Sequence, residues 1–391
     1  MNVKNKGTSN REEIDSRRAT LAFSLASFLN DVGGDIIEPF WPAFVTQVLG
    51  APMTVLGLLD GMGETIAAVI KFPAGYFTDR VGRKKTFVWF GYLLPALARV
   101  GYAFSYSISS LFPFKVLDRM GKLRDPPRDA MIAEKTRRKE RGKTFGFINA
   151  ADKFGATLGP FIAYALFALF SYRFLFLIAS VPSIIGALLI VWLVKESRQK
   201  TQPTRTSIQK ISNELKTFIL ISILFALASF SISFMIRYAN EIGISLLSLP
   251  LVYLIFNLTA SLISIPGGKL SDAIGRKSTL MLSYLLYSVT MLGFATINWS
   301  IAIYLLFLLY GLHYGILKTT QKAFVSDLSS PDVRSTALGI FQTVFALCLF
   351  PASVIAGLLW DLIGPTAPFF YGFLLSILGL ISLTIFVKSE K

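Results

Sequence analysis

One loop of this 391-residue chain occurs twice, and this repeat constrains the fold more than any other feature. The first copy reads GYFTDRVGRKK from Gly75 to Lys85, and the second reads GKLSDAIGRKS from Gly268 to Ser278. The copies are 193 residues apart, close to half of the chain, and each lies between two long apolar segments. A duplicated polar loop between apolar segments is typical of membrane proteins built from two related repeats. We therefore expect a membrane protein with two similar halves.

Composition separates a membrane protein from a soluble basic one. The chain is 53% hydrophobic with a mean hydropathy of +0.58, yet its formal net charge is +16. In a soluble protein such a charge indicates nucleic-acid binding, which needs a basic face on a soluble domain. No polar stretch is long enough to form that domain, so we expect no nucleic-acid partner. The single cysteine, Cys348, excludes an internal disulfide.

Twelve segments are predicted to be membrane-spanning helices, because each approaches or exceeds the roughly 20 mostly apolar residues that a span needs. They cover residues 19–48, 52–78, 86–106, 109–132, 143–170, 173–194, 216–239, 248–271, 279–297, 300–324, 334–360 and 366–388. The polar stretch 195–215 is predicted to be a cytoplasmic linker between two six-helix bundles, 1–194 and 216–391. The predicted fold class is all-α integral membrane, with twelve transmembrane helices in two pseudo-symmetric bundles.

The distribution of Lys and Arg predicts the orientation, because positively charged loops remain in the cytoplasm. With both termini inside, the cytoplasmic segments hold most of the 39 basic residues, whereas the predicted outer loops hold Arg173. Residues 1–18 are polar and charged, so no cleavable signal peptide is expected. We expect a monomeric, multi-pass protein of the cell (plasma) membrane, surrounded by lipid, with both termini cytoplasmic.

The repeated loop resembles the signature G-x-x-x-D-R-x-G-R-K of the major facilitator superfamily. The first copy matches this signature at Gly75, Asp79, Arg80, Gly82, Arg83 and Lys84. The second copy matches it at Gly268, Asp272, Gly275, Arg276 and Lys277, with Ala273 in place of the arginine. The resemblance covers nearly the whole chain. It implies the twelve-helix fold of that superfamily and a cytoplasmic latch between its halves, made by the two loops.

Local chemistry of the first loop adds two expectations. Gly82 is expected to end a helix in the left-handed conformation that glycine adopts easily. Asp79 is expected to accept hydrogen bonds from backbone N–H groups or to pair with Arg83.

Other stretches are similar to a largely uncharacterised archaeal and bacterial branch of the superfamily, which implies no substrate. They are GLLDGMGETIAAVIKFPAG in helix 2, DRMGKLRDPPRDAMIAE in helix 4 and KAFVSDLSSPDVRSTALGIF in helices 10 and 11. The superfamily's antiporter signature in helix 5 is half present. Gly155, Gly159 and Pro160 fit it, but the segment 161–163 lacks the glycines that follow. The sequence therefore gives antiport little support.

Carboxylates in the first predicted span are the main candidates for ion coupling, because a charge inside a membrane is costly and usually functional. Asp31, Asp35 and Glu38 are spaced so that they share one helix face. Burial disfavours the charged form of a carboxyl group, so these three are the best proton carriers. Pro39 and Pro42 follow, and we expect the helix to bend there.

The fourth predicted span carries the opposite charge. Its basic stripes contain Lys115, Arg119, Lys122, Arg124 and Arg128. In the superfamily, helices 1, 4, 7 and 10 line the central cavity, which implies that these stripes approach the acidic face of helix 1. The remaining charges of this half are expected to form a buried network that fixes helix packing. They are Asp60, Glu64, Lys71, Arg99, Asp118, Asp125, Asp129, Asp152 and Lys153.

The C-terminal half contains cations without a carboxylate well inside its spans. Arg237 and Lys318 are the main candidates, and Tyr314 shares a helix face with Lys318. An anionic or zwitterionic substrate, or a helix 1 carboxylate, would satisfy these charges. For Lys322 the alternative is a side chain that extends to the membrane interface. The one histidine, His313, is more simply interpreted as a packed core residue.

These observations favour a secondary transporter that moves a small charged solute by alternating access, with proton coupling. Sodium remains an alternative coupling ion, because Asn30 and Asp31 offer oxygen ligands. A multidrug or lipophilic-cation exporter of the same fold would need a mainly apolar, aromatic cavity. A non-transporting membrane sensor is the third alternative. The chain has one His, one Cys and no H-E-x-x-H or Walker motif, so we expect no enzyme activity, metal site or cofactor.

Overall fold

A computed structural model describes residues 3–136, 141–196, 212–330 and 334–387. Every regular element in these ranges is helical, as the sequence predicts. The α-helices are α1 (Val3–Ile37), α2 (Trp41–Ala43), α3 (Met53–Val69), α4 (Lys71–Val81), α5 (Lys84–Ala103), α6 (Ile108–Met120), α7 (Asp125–Lys135), α8 (Arg141–Phe167), α9 (Tyr172–Leu193), α10 (Asn213–Ala228), α11 (Ile232–Glu241), α12 (Leu249–Ile274), α13 (Arg276–Thr296), α14 (Ser300–Asp327), α15 (Arg334–Leu362) and α16 (Ala367–Phe386).

Each predicted span contains at least one of these helices, and the first, second, fourth and seventh contain two in series. Among the described residues, eight helical segments are long and apolar enough to cross a membrane: Met53–Thr78, Tyr172–Leu193, Asn213–Glu241, Leu246–Ile274, Arg276–Thr296, Ser300–Asp327, Thr336–Leu362 and Ala367–Phe386. The other four predicted spans all belong to the N-terminal half, where most ionisable side chains of the spans lie.

Prolines alter the regular helix in the first two predicted spans. The expected bend after the acidic face is confirmed, because α1 ends at Ile37 and a turn precedes the short α2. The second predicted span is one helical segment, Met53–Thr78, in which the single residue Ile70 separates α3 from α4. Pro73 explains this local irregularity, since it has no N–H to donate to the carbonyl of Val69.

The helices form two compact units. The first comprises Met1–Glu38 and Val69–Thr204, and the second comprises Pro39–Ala68 and Arg205–Lys391. The segment Pro39–Ala68 therefore packs with the C-terminal helices. The predicted bundles, 1–194 and 216–391, remain a prediction, and residues 197–211 of the predicted linker lie outside the described ranges.

In the first unit, α1 packs against α8 and α9, and α5 packs against α9. The α1–α8 contact depends on glycine. A methyl group added to Gly155 would lie 2.5 Å from the Phe28 carbonyl oxygen, and one added to Gly159 would lie 2.7 Å from Asp35 Cβ. The half-present antiporter motif thus has a packing role, because it brings the backbone of α8 against α1 beside the predicted carboxylates.

Aromatic packing dominates the second unit, where α14 packs against α12 and α13. Phe225 stacks on Tyr284 with ring centroids 3.8 Å apart, and Phe294 stacks on Phe369 at 5.2 Å. Gly315 on α14 allows close packing against α12, since a methyl group there would lie 2.5 Å from the Ala260 carbonyl oxygen. The first unit also has an apolar core, which includes Phe23, Val88 and Ile190, but its helices carry more charged side chains.

Candidate functional site

The three predicted proton carriers of α1, Asp31, Asp35 and Glu38, are half-buried in the first unit. Asn30 Nδ2 donates to Asp31 Oδ1 at 3.2 Å, and Ser183 Oγ on α9 lies 3.4 Å from Asn30 Oδ1. Polar contacts therefore connect α9, through Asn30, to the first carboxylate of the acidic face of α1.

One basic residue of the fourth span, Arg128, contacts α1. Arg128 on α7 donates from Nη1 to Ser27 Oγ at 3.0 Å, one helical turn before Asp31. Its Nε donates to Asp129 Oδ1 at 3.0 Å. Ser27 Oγ also lies 2.7 Å from the Tyr92 hydroxyl on α5. A chain of polar contacts thus joins α7, α1 and α5.

Arg124 has a different environment from the one predicted for a cavity residue. Its Nη1 donates to the carbonyl oxygens of Gly91 at 2.9 Å and Gly121 at 3.0 Å. The guanidinium lies over the Tyr92 ring, 4.6 Å from the centroid. Because the side chain is buried and bonded to backbone, these contacts favour a role in packing α5 against the fourth span.

Arg99 on α5 is buried and bonds to two neighbouring helices. The sequence predicted it as part of a buried charge network. Its Nη2 donates to the Asn30 carbonyl at 3.0 Å, and its Nη1 donates to the Ala179 carbonyl at 3.3 Å and to Ser183 Oγ. One guanidinium therefore joins α1, α5 and α9. Gly33 makes room for it, since an added methyl group would lie 2.3 Å from Arg99 Nη1.

Two further charge pairs of the first unit are local to the fourth span and its neighbour α4. Lys71 Nζ lies 3.1 Å from Asp125 Oδ2, and Arg119 Nε lies 3.6 Å from Asp118 Oδ2. The remaining predicted basic residues differ in exposure: Lys115 is buried, Lys122 is half-buried and Lys153 is exposed.

Asp152 on α8 is distinctive, because its Oδ1 is buried and has no hydrogen-bond partner. It also interacts electrostatically with Asp31 on α1. Two carboxyl groups within electrostatic reach, one of them with an unsatisfied oxygen, form an arrangement that a bound proton would stabilise.

The second unit corrects one expectation. Arg237 was expected to lack an acidic partner, but this is wrong, since its Nη2 lies 3.0 Å from Glu241 Oε1. Lys318 is exposed, and its ammonium lies 5.1 Å from the centroid of the Tyr314 ring. It also interacts electrostatically with Glu64 on α3.

His313 and Lys322 lie elsewhere in this unit. His313 is buried, and its Nδ1 lies 2.8 Å from the Ser283 carbonyl oxygen, to which it donates. The packed-core interpretation of this histidine is therefore confirmed. Lys322 is exposed on α14.

Asp60 has a role that the sequence did not reveal. This buried side chain of α3, 5% exposed, accepts from Trp41 Nε1 at 2.8 Å and from Ser231 Oγ at 2.7 Å. All three residues belong to the second unit. The carboxylate therefore joins the C-terminal part of the first span to the start of α11.

Each repeated loop contains a glycine with a positive φ, although the two glycines differ in ψ. Gly82 ends α4 in the left-handed conformation with φ +69°, as predicted, and its N–H donates to the Thr78 carbonyl at 2.9 Å. Gly275 also has a positive φ, +88°. Arg80 lies beside Tyr76, and Arg83 immediately precedes α5.

Space around the first glycine of each loop differs between the copies. A methyl group at Gly75 would lie 3.5 Å from Pro126, whereas one at Gly268 would meet open space. The side chain of Asp79 lies outside the described part of the chain. The pairing predicted for it is seen in the second copy, where Arg276 Nη1 donates to Asp272 Oδ1 at 2.5 Å.

Both loops are also tied to an acidic residue at the end of a later helix. Buried Lys84 pairs with Glu134 on α7, and Arg276 Nε donates to Asp327 Oδ2 on α14 at 2.9 Å. Sequence reasoning missed these two acids. A signal existed, because Glu134 and Asp327 are separated by 193 residues, the same offset as the loops.

Comparison with known proteins agrees with this architecture. The sequence matches the family model of the Major Facilitator Superfamily over residues 23–350 and 217–391. The chain belongs to the major facilitator superfamily. It is 39% identical to an uncharacterized MFS-type transporter of Methanocaldococcus jannaschii, over 96% of each chain. It is 24% identical to Multidrug resistance protein 2 of Bacillus subtilis, over 97% of this chain and 98% of that protein.

Solved structures of the superfamily share the fold. A nucleoside transporter superposes with a TM-score of 0.80 at 14% identity, covering 95% of this chain and 100% of that one. A D-xylose-proton symporter gives a TM-score of 0.79 at 16% identity, covering 95% and 98%. This superfamily member is an integral membrane transporter and not an enzyme. Among the described residues, no group of three or more His, Cys, Asp or Glu side chains could hold a metal ion.

Proposed function

We propose that this transporter moves a small anionic or zwitterionic solute by alternating access, driven by proton coupling, in the plasma membrane with both termini cytoplasmic. The observation that carries the proposal is the charge cluster of the first unit. Within that cluster, Asp152 interacts electrostatically with Asp31 on α1, and Arg128 donates to Ser27 of the same helix. A buried carboxylate oxygen without a hydrogen-bond partner is costly, so protonation is the simplest way to lower that cost.

In this proposal Asp31, Asp35, Glu38 and Asp152 share the coupling proton. When one of them is protonated, a basic group of the fourth span loses an acidic neighbour and becomes available to an anionic group of the solute. Lys318 supplies a cation in the second unit, since it is exposed beside an aromatic ring. The solved proton symporter of D-xylose, which has the same fold, supports proton coupling by analogy alone.

A multidrug exporter is the second candidate, supported by the similarity to Multidrug resistance protein 2. The first experiment is thermal stabilisation of the purified protein by a panel of small anions, zwitterions and lipophilic cations at two pH values. Stabilisation by an anion that depends on pH supports the proposal. Stabilisation by lipophilic cations alone would contradict it and favour export of drugs.

Solutes that stabilise the protein are then tested for uptake into proteoliposomes with and without a pH gradient. Asp152→Asn is expected to abolish the dependence of uptake on the gradient, while exchange of labelled for unlabelled solute continues. Lys153→Gln is the matched control, since that neighbouring side chain is exposed. Loss of both activities in Asp152→Asn, with the fold intact, would assign this residue to solute binding and not to coupling.

A further inference from the structure

An apolar groove of about 380 Å³ lies in the second unit, between the first turns of α13 and the last turns of α16. Its exposed side chains include Leu285 (46%), Ile381 (48%) and Ile385 (67%). Both helices are long and apolar enough to cross a membrane, so the exposed side of the groove faces hydrocarbon. We propose that the groove binds an acyl chain of an anionic phospholipid whose phosphate is held by Lys277. The proposal concerns a surface and not the transport path, so it stands independently of any solute.

The walls of the groove suit a hydrocarbon chain. Met281 and Leu282 complete its α13 side, and Leu380 completes its α16 side. Among the described residues that line it, Thr384 is the one polar side chain, and its hydroxyl donates to the Leu380 carbonyl at 2.8 Å within α16. A polar solute would lose its contacts with water here, whereas an acyl chain gains from an apolar surface.

Two polar contacts between α13 and α16 lie at opposite ends of the groove. Toward the middle of the helices, Ser288 Oγ lies 2.7 Å from Ser376 Oγ, and both side chains are buried. Where α13 begins and α16 approaches its end, Lys277 Nζ donates to the Thr384 carbonyl oxygen at 2.9 Å. The groove therefore has a cation at one end only, which is the arrangement that a lipid with a charged headgroup requires.

Lys277 retains donors for a phosphate group. A lysine ammonium carries three N–H donors, and the Thr384 carbonyl occupies one of them. Among the described residues, Lys277 forms no ion pair. The nearby carboxylates of Asp272 and Asp327 instead bind Arg276. Lysine side chains at the ends of membrane helices extend to the interface, where lipid phosphates lie, so the half-buried Lys277 is suitably placed.

The side of the membrane agrees with an anionic lipid. With both termini cytoplasmic, as proposed above, Lys277 lies at the cytoplasmic surface, because α13 begins within the second repeated loop. That leaflet carries the negative surface charge, and basic pockets between membrane helices on that side bind lipid headgroups. A zwitterionic lipid has the same phosphate but adds a cation that Lys277 would repel, so an anionic headgroup is preferred.

The first half of the chain supplies an internal comparison. Lys85 Nζ donates to the Val191 carbonyl on α9 at 2.7 Å, and Val191 and Thr384 are 193 residues apart. The backbone N–H of Lys85, however, donates to Glu196 Oε1 at 2.9 Å, which places a carboxylate at this end of α5. This carboxylate would repel an anionic headgroup. Lys85 is therefore the matched control for Lys277.

The experiment is a lipid titration of the purified, delipidated protein in detergent, followed by native mass spectrometry. The probes are a phosphatidylglycerol and a phosphatidylcholine with the same acyl chains, and glycerol 3-phosphate, which has no chain. Lys277→Gln removes the cation, and Leu285→Trp fills the groove. The controls are Lys85→Gln and Leu374→Trp, since Leu374 is exposed on α16 outside the groove. Circular dichroism confirms that each variant is folded.

The expected result for wild type is one phosphatidylglycerol that binds more tightly than further lipids and than phosphatidylcholine. Lys277→Gln should weaken this first binding step about 5-fold, as expected for one basic side chain near lipid charge. Leu285→Trp should remove the tight step, and both controls should bind as wild type does.

Four results would overturn the proposal. Equal binding of the two lipids to wild type, or an equal loss in Lys85→Gln, would exclude a headgroup site at Lys277. Unchanged binding in Leu285→Trp would exclude the groove. Binding of glycerol 3-phosphate as tight as that of the lipid would assign Lys277 to a soluble anion. A dimer that Leu285→Trp disrupts would show that a second copy of the chain, and not a lipid, covers this surface.

Discussion

The contact between α1 and α8 predicts opposite effects for two glycines of one helix. Gly159→Ala places a methyl group 2.7 Å from Asp35 Cβ and 2.8 Å from the Val32 carbonyl oxygen. Backbone cannot move away as a flexible side chain would, so the helices must separate. Overpacking of this kind costs about 1–3 kcal/mol of unfolding free energy. Gly146→Ala, also in α8, meets nothing within 4 Å.

The Gly146→Ala variant serves as the control and should be more stable than wild type, because alanine is favoured over glycine in a helix by about 0.5–1 kcal/mol. The two variants are therefore expected to differ by about 1.5–4 kcal/mol in unfolding free energy. The assay is reversible unfolding in mixed micelles by titration with a denaturing detergent, followed by circular dichroism. If Gly159→Ala equals or exceeds wild-type stability, the close α1–α8 contact is absent. If both variants lose stability equally, the effect does not come from this contact.

Three further changes test local features by the same unfolding assay. Lys84→Met is expected to lower the unfolding free energy by up to about 3 kcal/mol, since it leaves Glu134 without its ion pair. The double variant Lys84→Met/Glu134→Gln should recover part of this loss. If the losses of the two single variants simply add in the double variant, the pairing is contradicted. Gly82→Ala should lower the unfolding free energy by about 1–2 kcal/mol, because alanine is strained in the left-handed conformation. Gly268→Ala should leave the unfolding free energy unchanged or raise it, and equal losses in the two variants would contradict this explanation. Asp361 on α15 caps α3 by accepting from the backbone N–H groups of Met53 and Thr54. Asp361→Ala should therefore lower the unfolding free energy by about 0.5–2 kcal/mol, and Asp361→Asn should lower it less. An alanine variant as stable as wild type would contradict this capping role.

Features set by local chemistry could be predicted from the sequence. Hydrophobic length predicts the spans, and glycine after a helix predicts the left-handed cap at Gly82. Prolines predict the bend after Ile37. Each of these depends on residues within a few positions of one another, so tertiary packing has little freedom to change them.

Pairing between distant residues could not be predicted in the same way. Asp60 accepts hydrogen bonds from Trp41 and from Ser231, which is 171 residues away. Helical spacing shows which residues share a face, but it does not show which neighbouring helix that face meets. Arg124 illustrates the consequence, because its stripe predicted a cavity role and its contacts favour packing on Gly91 and Tyr92.

The two copies of the repeated loop share some local interactions, whereas the helices of the two halves differ in their charge. Both loops retain a glycine with positive φ and a basic residue paired with an acid. The acids Glu134 and Asp327 are 193 residues apart, whereas the basic residues Lys84 and Arg276 are 192 residues apart. The membrane interior does not follow this symmetry, since all four spans that fail the apolar criterion belong to the N-terminal half. A buried charge is costly unless it has a partner or a task. The asymmetry therefore supports the proposal that the ionic chemistry of transport belongs mainly to the N-terminal helices, whereas the C-terminal helices form an aromatic core.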